Sequence, residues 1–430
     1  MARWSDASWE PSDVTAIPRA DRQHGSYRCY EPDDVLTRPL SLSAKISTLA
    51  SQAERAVRDL STGPGAAALE GLSRFLLRSE AVASSLIEGI APGAHQVALA
   101  ELGQDEDVKG FSDQARLVAN NITILRRAGA DLATAERVDV ADIEALHRAL
   151  LPEERHHGLR SVQNWIGGSS WHPLSAQFVP PPPDRVAPLM ADLVDYVNGS
   201  VHAPLIQAGI VHAQFETIHP FTDGNGRVGR ALVHTVLARR GLTPGAILPV
   251  SLVLSTLRER YVAGLTAYRY DGPGESRAAA AAVEAWLNLF LEATAVAAEQ
   301  AMLFASTIRD LQTSWERALA EHRVTQGLRE IPRSDSATHR ILRSLPEVPI
   351  LTTRTAQRRL GISFPAARSA LEELAAAGIL QRRSVERGTT GYAATDVFSV
   401  VTHAERQLAS TQFDTRGSEP HRPVAARPEG

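Results

Sequence analysis

Cysteine is nearly absent. Cys29 is the only one in 430 residues, which excludes an internal disulfide framework and a thiolate metal cluster. Lysine is almost as rare: Lys45 and Lys109 are the only two among 45 basic residues. That is a genomic bias towards arginine rather than a sign of phosphate recognition, and the net charge of −4 argues against nucleic-acid binding along the whole chain. Long apolar runs are missing as well. No window approaches 18 consecutive apolar residues, and the N-terminal MARWSDASWEPSD lacks the basic and apolar regions of a signal peptide. These absences predict a cytoplasmic protein with no membrane span, and the length allows two or three domains with their own cores.

Alanine, leucine and arginine dominate, with apolar spacings of three and four residues, so the fold class is mainly α. Residues 1–40, rich in Pro, Asp and Ser, are expected to wrap over the surface, and 41–110 to form an N-terminal helical domain. Within it the run 66–88 places Leu72, Phe75, Leu76, Ala83 and Ile87 on one stripe. A larger helical core follows over 111–328, with helices expected near 113–127, 140–150, 185–197 and 205–217, another from about 227, and more through 311. Helical spacing is interrupted at LRSVQNWIGGSSWHPLSAQFVPPPP, residues 159–183. There Gly167, Gly168 and the run of four prolines at 180–183 exclude a helix, and Val162, Trp165, Ile166, Phe178 and Val179 suggest a short hairpin. Residues 329–337 read as a linker and 401–430 as a disordered tail. Between them, 338–400 gives helix, helix, turn, helix and two short strands, the order of a winged helix-turn-helix. Ser363 is the expected cap of its third helix, with Pro365 in the first turn. Residues 336–400 carry nine arginines against five acids, a net +4. Arg368, Arg382, Arg383 and Arg387 suit phosphates, and DNA binding and protein interaction both stay open for this module.

The chemistry is concentrated in IHPFTDGNGRVGRALVH, residues 218–234. Helical patterns flank it, so it is a loop entering a helix N-terminus. Gly224 and Gly226 permit positive φ and turn backbone N–H groups towards one point, an anion nest. The helix dipole and the charges of Arg227 and Arg230 reinforce it. Such a loop suits a polyphosphate. Asp223 is placed to hold Mg2+ against two phosphates, His219 is the candidate general base, and Asn225 either donates to a phosphate oxygen or fixes the loop. Singly, each residue has an ordinary structural reading; twelve residues in this order do not.

These residues resemble the Fic-domain signature HxFx(D/E)GNGRxxR without departure, from His219 through Phe221, Asp223, Gly224, Asn225, Gly226 and Arg227 to Arg230. The resemblance implies a helical Fic core that transfers AMP from ATP, with Mg2+, to a Ser, Thr or Tyr hydroxyl of a target protein and releases pyrophosphate. By that motif His219 is the base, Asp223 the metal ligand and Phe221 a core anchor. Gly224, Asn225, Gly226, Arg227, Val228, Gly229 and Arg230 form the phosphate site, with Arg230 at the γ-phosphate. The hairpin is similar to the family's target-docking flap, with Val162, Gln163, Asn164, Trp165 and Ile166 as its strand; Trp165 is either a clamp or a core side chain. RERYVAGLTAYR, residues 258–269, resembles the helix bordering the adenine site, where Tyr261 either stacks on the base or packs in the core. Ser84, Glu88 and Gly89 match the inhibitory motif (S/T)xxxE(G/N), with Ser84 and Glu88 four residues apart on a helix. A carboxylate at a helix C-terminus faces the negative end of the dipole, and the expected partner of Glu88 is Arg230. Self-modification and a homodimer are further expectations of the resemblance. Two other readings compete: removal of AMP with Glu88 positioning a water, and a nucleotide-sensing DNA-binding regulator.

Overall fold

Apolar spacing of three and four residues produces helices along most of the chain. In order the computed structural model has β1 (Arg3–Trp9), β2 (Gly25–Glu31), α1 (Ala44–Thr62), α2 (Ser73–Ile87), α3 (Ala94–Asp105), α4 (Asp113–Thr134), α5 (Val140–Leu150) and α6 (Pro183–Gly199). There follow α7 (Pro204–Ile218), α8 (Asn225–Arg239), α9 (Val250–Thr256), α10 (Arg258–Ala267) and α11 (Arg277–Thr325). The last elements are α12 (Ala337–Ser344), β3 (Ile350–Thr352), α13 (Thr353–Leu360), α14 (Phe364–Ala376), β4 (Gln381–Glu386), β5 (Thr389–Ala393) and α15 (Thr395–Thr411). The structure describes residues 1–11, 17–62, 71–105, 111–243, 247–386 and 388–411. The chain forms two compact units, one of residues 1–55, 123–244 and 258–295, the other of 56–122, 245–257 and 296–430. Neither is contiguous, unlike the boundaries read from the sequence, because each core joins segments distant along the chain.

In the first unit α7 is buried on every side from Leu205 to Ile218, as a helix at the centre of a core must be. It packs against α6, α8 and α10. Trp286 is fully buried and donates Nε1–H to the carbonyl of Gly209 at 2.7 Å. Helix α5 starts with a capping box, Asp139 and Asp142 each accepting the other's backbone N–H. Residues 1–40 do more than wrap the surface. β1 and β2 pair antiparallel, with Arg3 opposite Glu31 and Trp9 opposite Gly25. The ribbon is anchored by buried Tyr30, whose hydroxyl donates to the Tyr270 carbonyl at 2.8 Å. Composition hid this, since β1 has only Trp4, Ala7 and Trp9 among polar residues and no aliphatic alternation.

The second unit contains α2, α3, α9 and everything from α12 to α15. β3, β5 and β4 form one antiparallel sheet in that order. Ala98, Leu99 and Leu102 of α3 share a core cluster with Ile350, Val385 and Ala393 of the sheet. Sequence periodicity does not announce α3, because Val97, Ala98, Leu99, Ala100 and Leu102 are consecutive or nearly so and all buried. Ser363 caps α14 by accepting from the Ala366 N–H. The tail expected to be disordered from 401 instead begins inside α15, whose Val397, Val400, Ala404 and Leu408 make a buried stripe; residues 412–430 lie outside the described residues. Among the described residues only α11, 49 residues long, is apolar and long enough to cross a membrane, and half of that stretch is buried within the protein.

A buried ion cluster fixes α2 to α3. Glu101 accepts from Arg78 at 2.8 Å and from Arg74 at 2.7 Å. Burial raises the pKa of this carboxyl, but the Arg78 and Arg74 guanidiniums outweigh it and hold it below the ordinary carboxylate value. A pKa lower in the folded than in the unfolded state gives stability that is complete above the unfolded pKa and is lost as pH falls through the folded one. Glu101→Gln leaves two arginines without their counter-charge and is expected to destabilise the second unit by about 3 kcal/mol at pH 7. The difference from wild type should shrink as urea unfolding is repeated below about pH 4; equal midpoints at pH 7 would contradict it.

Candidate active site

All parts of the loop at residues 219–230 lie in the first unit. Helix α7 ends at Ile218, and His219 caps it in the left-handed region, φ 50° and ψ 60°, with its N–H on the Phe215 carbonyl at 2.9 Å. Among the described residues no other non-glycine has positive φ. That conformation costs about 1 kcal/mol and persists only where the surroundings determine it.

Arg160 supplies much of that determination. Its buried guanidinium donates to four backbone carbonyls: His219 at 2.9 Å, Val162 at 3.2 Å, Pro181 at 2.5 Å and Ile218 at 3.3 Å. Its own N–H donates to the Pro220 carbonyl at 2.8 Å. Burial lowers its pKa to about 10, so the group stays charged at neutral pH. Asn164 adds bonds from Nδ2 to the carbonyls of Phe221 at 2.9 Å and His219 at 3.3 Å. The sequence reading passed over Arg160, because every partner of its side chain is a backbone carbonyl and leaves no residue-type signal.

Phe221 is fully buried and stacks on His147 of α5, rings 3.9 Å apart and 7° from parallel. Burial pulls the His147 pKa down to about 4, so at neutral pH its uncharged ring donates Nε2–H to the Asp223 carbonyl at 2.9 Å. Asn225 resolves the alternative left open for it. Its Oδ1 accepts the Phe221 N–H at 2.8 Å and its Nδ2 donates to the Phe221 carbonyl at 2.8 Å. The side chain therefore fixes the loop and is spent on it; what remains for an anion is the backbone of the α8 N-terminus. Gly224 precedes α8 at φ 78°, with Leu150 and Leu151 where a Cβ would need 3.1 and 3.3 Å. Gly229 lets α8 lie against α7, a Cβ there meeting Phe215 at 3.0 Å.

The guanidiniums of Arg227 and Arg230 are both 2% exposed. Arg227 lies 3.8 Å from the Asp223 carboxylate, and Arg230 donates to the Tyr261 hydroxyl at 3.4 Å. Tyr261 is itself 3% exposed, bonded to His212 Nε2 at 2.8 Å and packed beside Trp286. Its ring therefore belongs to the core and is no platform for a base, a correction that follows from α10 turning this position inward and Val262 outward. The Asp223 side chain is 61% exposed. One exposed carboxylate beside the N-terminus of α8 fits Mg2+, which takes one or two protein carboxylates and completes its shell with other oxygens and water. Among the described residues no group of three or more His, Cys, Asp or Glu could hold a metal by itself.

The flap is looser than the expected strand. Val162, Gln163, Asn164 and Trp165 are irregular, and Ile166 alone bridges Phe178. Gly167 and Gly168, both at positive φ, end the pairing there. Val162 is 59% exposed, whereas Trp165 is half-buried, its Nε1–H on the Ser169 carbonyl at 2.7 Å and its ring edge-on to Trp9 at 5.5 Å. Trp165 thus packs on the N-terminal ribbon.

In the second unit α2 ends as the sequence indicates. Glu88 is the C-cap and Gly89 takes φ 78°. The N–H of Gly89 bonds the Leu86 carbonyl at 2.9 Å and that of Ile90 bonds the Ser85 carbonyl at 3.0 Å, a Schellman ending. Ser84 is buried and Glu88 exposed. In the C-terminal module Arg382 is paired with Glu372, which also accepts from the Tyr392 hydroxyl at 2.5 Å. The Arg382 side chain is 58% exposed. Arg368 is exposed, and Arg387 lies outside the described residues.

Comparison with known proteins agrees with the loop. A protein adenylyltransferase from Caenorhabditis briggsae is 33% identical over 135 residues, 30% of this chain and 24% of that protein. A probable protein adenylyltransferase from Aquifex aeolicus is 40% identical over 85 residues, 20% of this chain and 27% of that protein. The chain thus spans about a quarter of the length of the curated relatives it matches. Among solved structures, a Fic family protein from Desulfovibrio desulfuricans aligns at TM-score 0.49 and 23% identity, over 83% of this chain and 98% of that one. Residues 137–237 match the Fic/DOC family model, and that segment holds α5, Arg160, the hairpin region, the loop and most of α8.

Proposed function

We propose that the protein is a self-inhibited adenylyltransferase that moves AMP from ATP, with Mg2+, to a Ser, Thr or Tyr hydroxyl of a target protein. The observation that carries this reading is the loop itself: a left-handed histidine held by its carbonyl, followed by a helix N-terminus with two buried guanidiniums. The target oxygen attacks the α-phosphorus, its proton passes to His219, and the bond from the α-phosphorus to the bridging oxygen breaks, releasing pyrophosphate. The Glu216 carboxylate, 3.8 Å from His219 Nδ1, favours the imidazolium formed in that step. Arg227 and the α8 N–H groups stabilise charge on the phosphate oxygens, and Arg230 holds the γ-phosphate. Mg2+ held by Asp223 would neutralise phosphate charge and favour pyrophosphate departure. The exposed, unladdered backbone at Val162 suits strand addition by a target segment.

Glu88 is the proposed brake. Its exposed carboxylate stands at the unfavourable end of α2, and the proposed partner is the Arg230 guanidinium that the γ-phosphate needs. Modification of a second copy, or of itself, belongs to the same proposal. For the C-terminal module we propose a winged helix; DNA binding would show as a salt-dependent shift of random fragments, its affinity falling steeply from 50 to 200 mM salt, and unchanged mobility at low salt would leave protein interaction as its role.

With labelled ATP and Mg2+, Glu88→Gly is expected to label itself or added protein about tenfold or more above wild type, as relief of a pair worth about 1.4 kcal/mol requires. Glu88→Gly combined with His219→Ala should abolish labelling. Equal labelling by Glu88→Gly and wild type overturns self-inhibition, and release of AMP from modified protein by wild type alone favours removal instead. In the Glu88→Gly background Arg160→Ala is expected to lower turnover about 100-fold through misplacement of the His219 carbonyl, with ATP affinity little changed. Arg160→Lys should not rescue it, because an ammonium cannot span four carbonyls. A loss confined to ATP binding would refute that positioning role.

A further inference from the structure

The second unit contains a cavity of about 190 Å³, walled by Phe75, Arg78, Ser79 and Val82 of α2 and by Phe398 and Val401 of α15. Its character is mixed. The aromatic and valine side chains make an apolar chamber, and a cavity of about 150 Å³ already holds a benzene ring. Two polar groups on its wall are anomalous. Arg78 is 7% exposed and spends Nε and Nη2 on Glu101 and the Glu347 carbonyl, yet its buried Nη1 has no hydrogen-bond partner among the described residues. The hydroxyl of Ser79, the next residue and also on the wall, is fully buried and equally without a partner among them. A buried donor left unsatisfied costs about 1–3 kcal/mol, more when charged, so each is strong grounds for a missing acceptor.

Charge points the same way. Arg74, Arg78 and Arg359 act on the carboxyl groups of Glu101 and Glu347, three positive charges against two acids. Pro92, Gly93 and Ala94, the N-terminal entry of α3, form another part of the wall and add the positive end of that helix dipole. Glu405 is the one acid on the wall among the described residues, and burial raises its pKa above the ordinary carboxylate value.

We propose that this cavity binds a small carboxylate with an apolar body, of the size of an aromatic or short branched-chain acid. The carboxylate oxygens accept from Arg78 Nη1 and the Ser79 hydroxyl while the body fills the space between Phe75, Val82, Phe398 and Val401. Nothing in this site depends on the transfer reaction, so its test is a binding measurement on the full chain. Titrated by calorimetry, benzoate should bind at least about tenfold tighter than benzyl alcohol, the worth of one charged hydrogen bond of about 1.4 kcal/mol. Val401→Phe, which fills the chamber, should abolish benzoate binding with the thermal melt retained. Ser79→Ala removes one oxygen without altering the packing, and should weaken benzoate about fivefold while leaving benzyl alcohol unchanged; it decides the matter if Val401→Phe does not fold. Equal affinity for acid and alcohol, no binding of benzoate to folded wild type, or undiminished binding by Ser79→Ala overturns the proposal.

Discussion

The buried guanidinium of Arg160 is the interaction on which the candidate site depends. An irregular loop carries carbonyls that no helix or sheet ladder satisfies, and an unsatisfied buried carbonyl is costly. Arg160 gathers those of Val162, Pro181, Ile218 and His219 around one planar fork. It thereby joins the flap to the point where α7 breaks, and the break is what turns His219 into the left-handed region. Asn164 and Asn225 close the remaining side, both through the carbonyl of Phe221. The arrangement leaves the Asp223 carboxylate at the surface, the His219 side chain only 19% exposed, and the guanidiniums of Arg227 and Arg230 buried.

Buried charge organises the two units differently. Around Arg160 the partners are neutral dipoles, so the guanidinium keeps its full charge and its pKa falls only to about 10. Around Glu101 the partners are the charged Arg74 and Arg78, and Arg78, which also lines the cavity of the second unit, keeps a buried Nη1 without a partner among the described residues. Polar groups in a low-dielectric interior are strongly felt whether or not they are satisfied. The satisfied bonds of Arg160 hold the loop of the candidate active site; the unpartnered Nη1 of Arg78 is the ground for the ligand proposed in the second unit.

How much could be read in the sequence varied with the range of the interactions. Helix α5 appears at its expected bounds because a local stripe and a capping box define it. Gly89 ends α2 for the same local reason, a φ that glycine accepts. The N-terminal ribbon was hidden because Tyr30 finds its partner 240 residues away at Tyr270. Helix α3 was hidden because it is buried on more than one face, and α15 because its stripe was taken for the start of a polar tail.

The sequence alone determined the mainly helical class and the order of base, carboxylate, amide, glycines and arginines from 219 to 230, because turns, caps and anion nests depend on residues a few positions apart. Only the tertiary structure decided that Asn225 is spent on Phe221, that Tyr261 lies in the core against His212 and Trp286, and that Arg160 holds the loop. Those outcomes depend on which distant groups share a buried environment, and a backbone carbonyl or an aromatic neighbour many residues away leaves no mark in the local sequence.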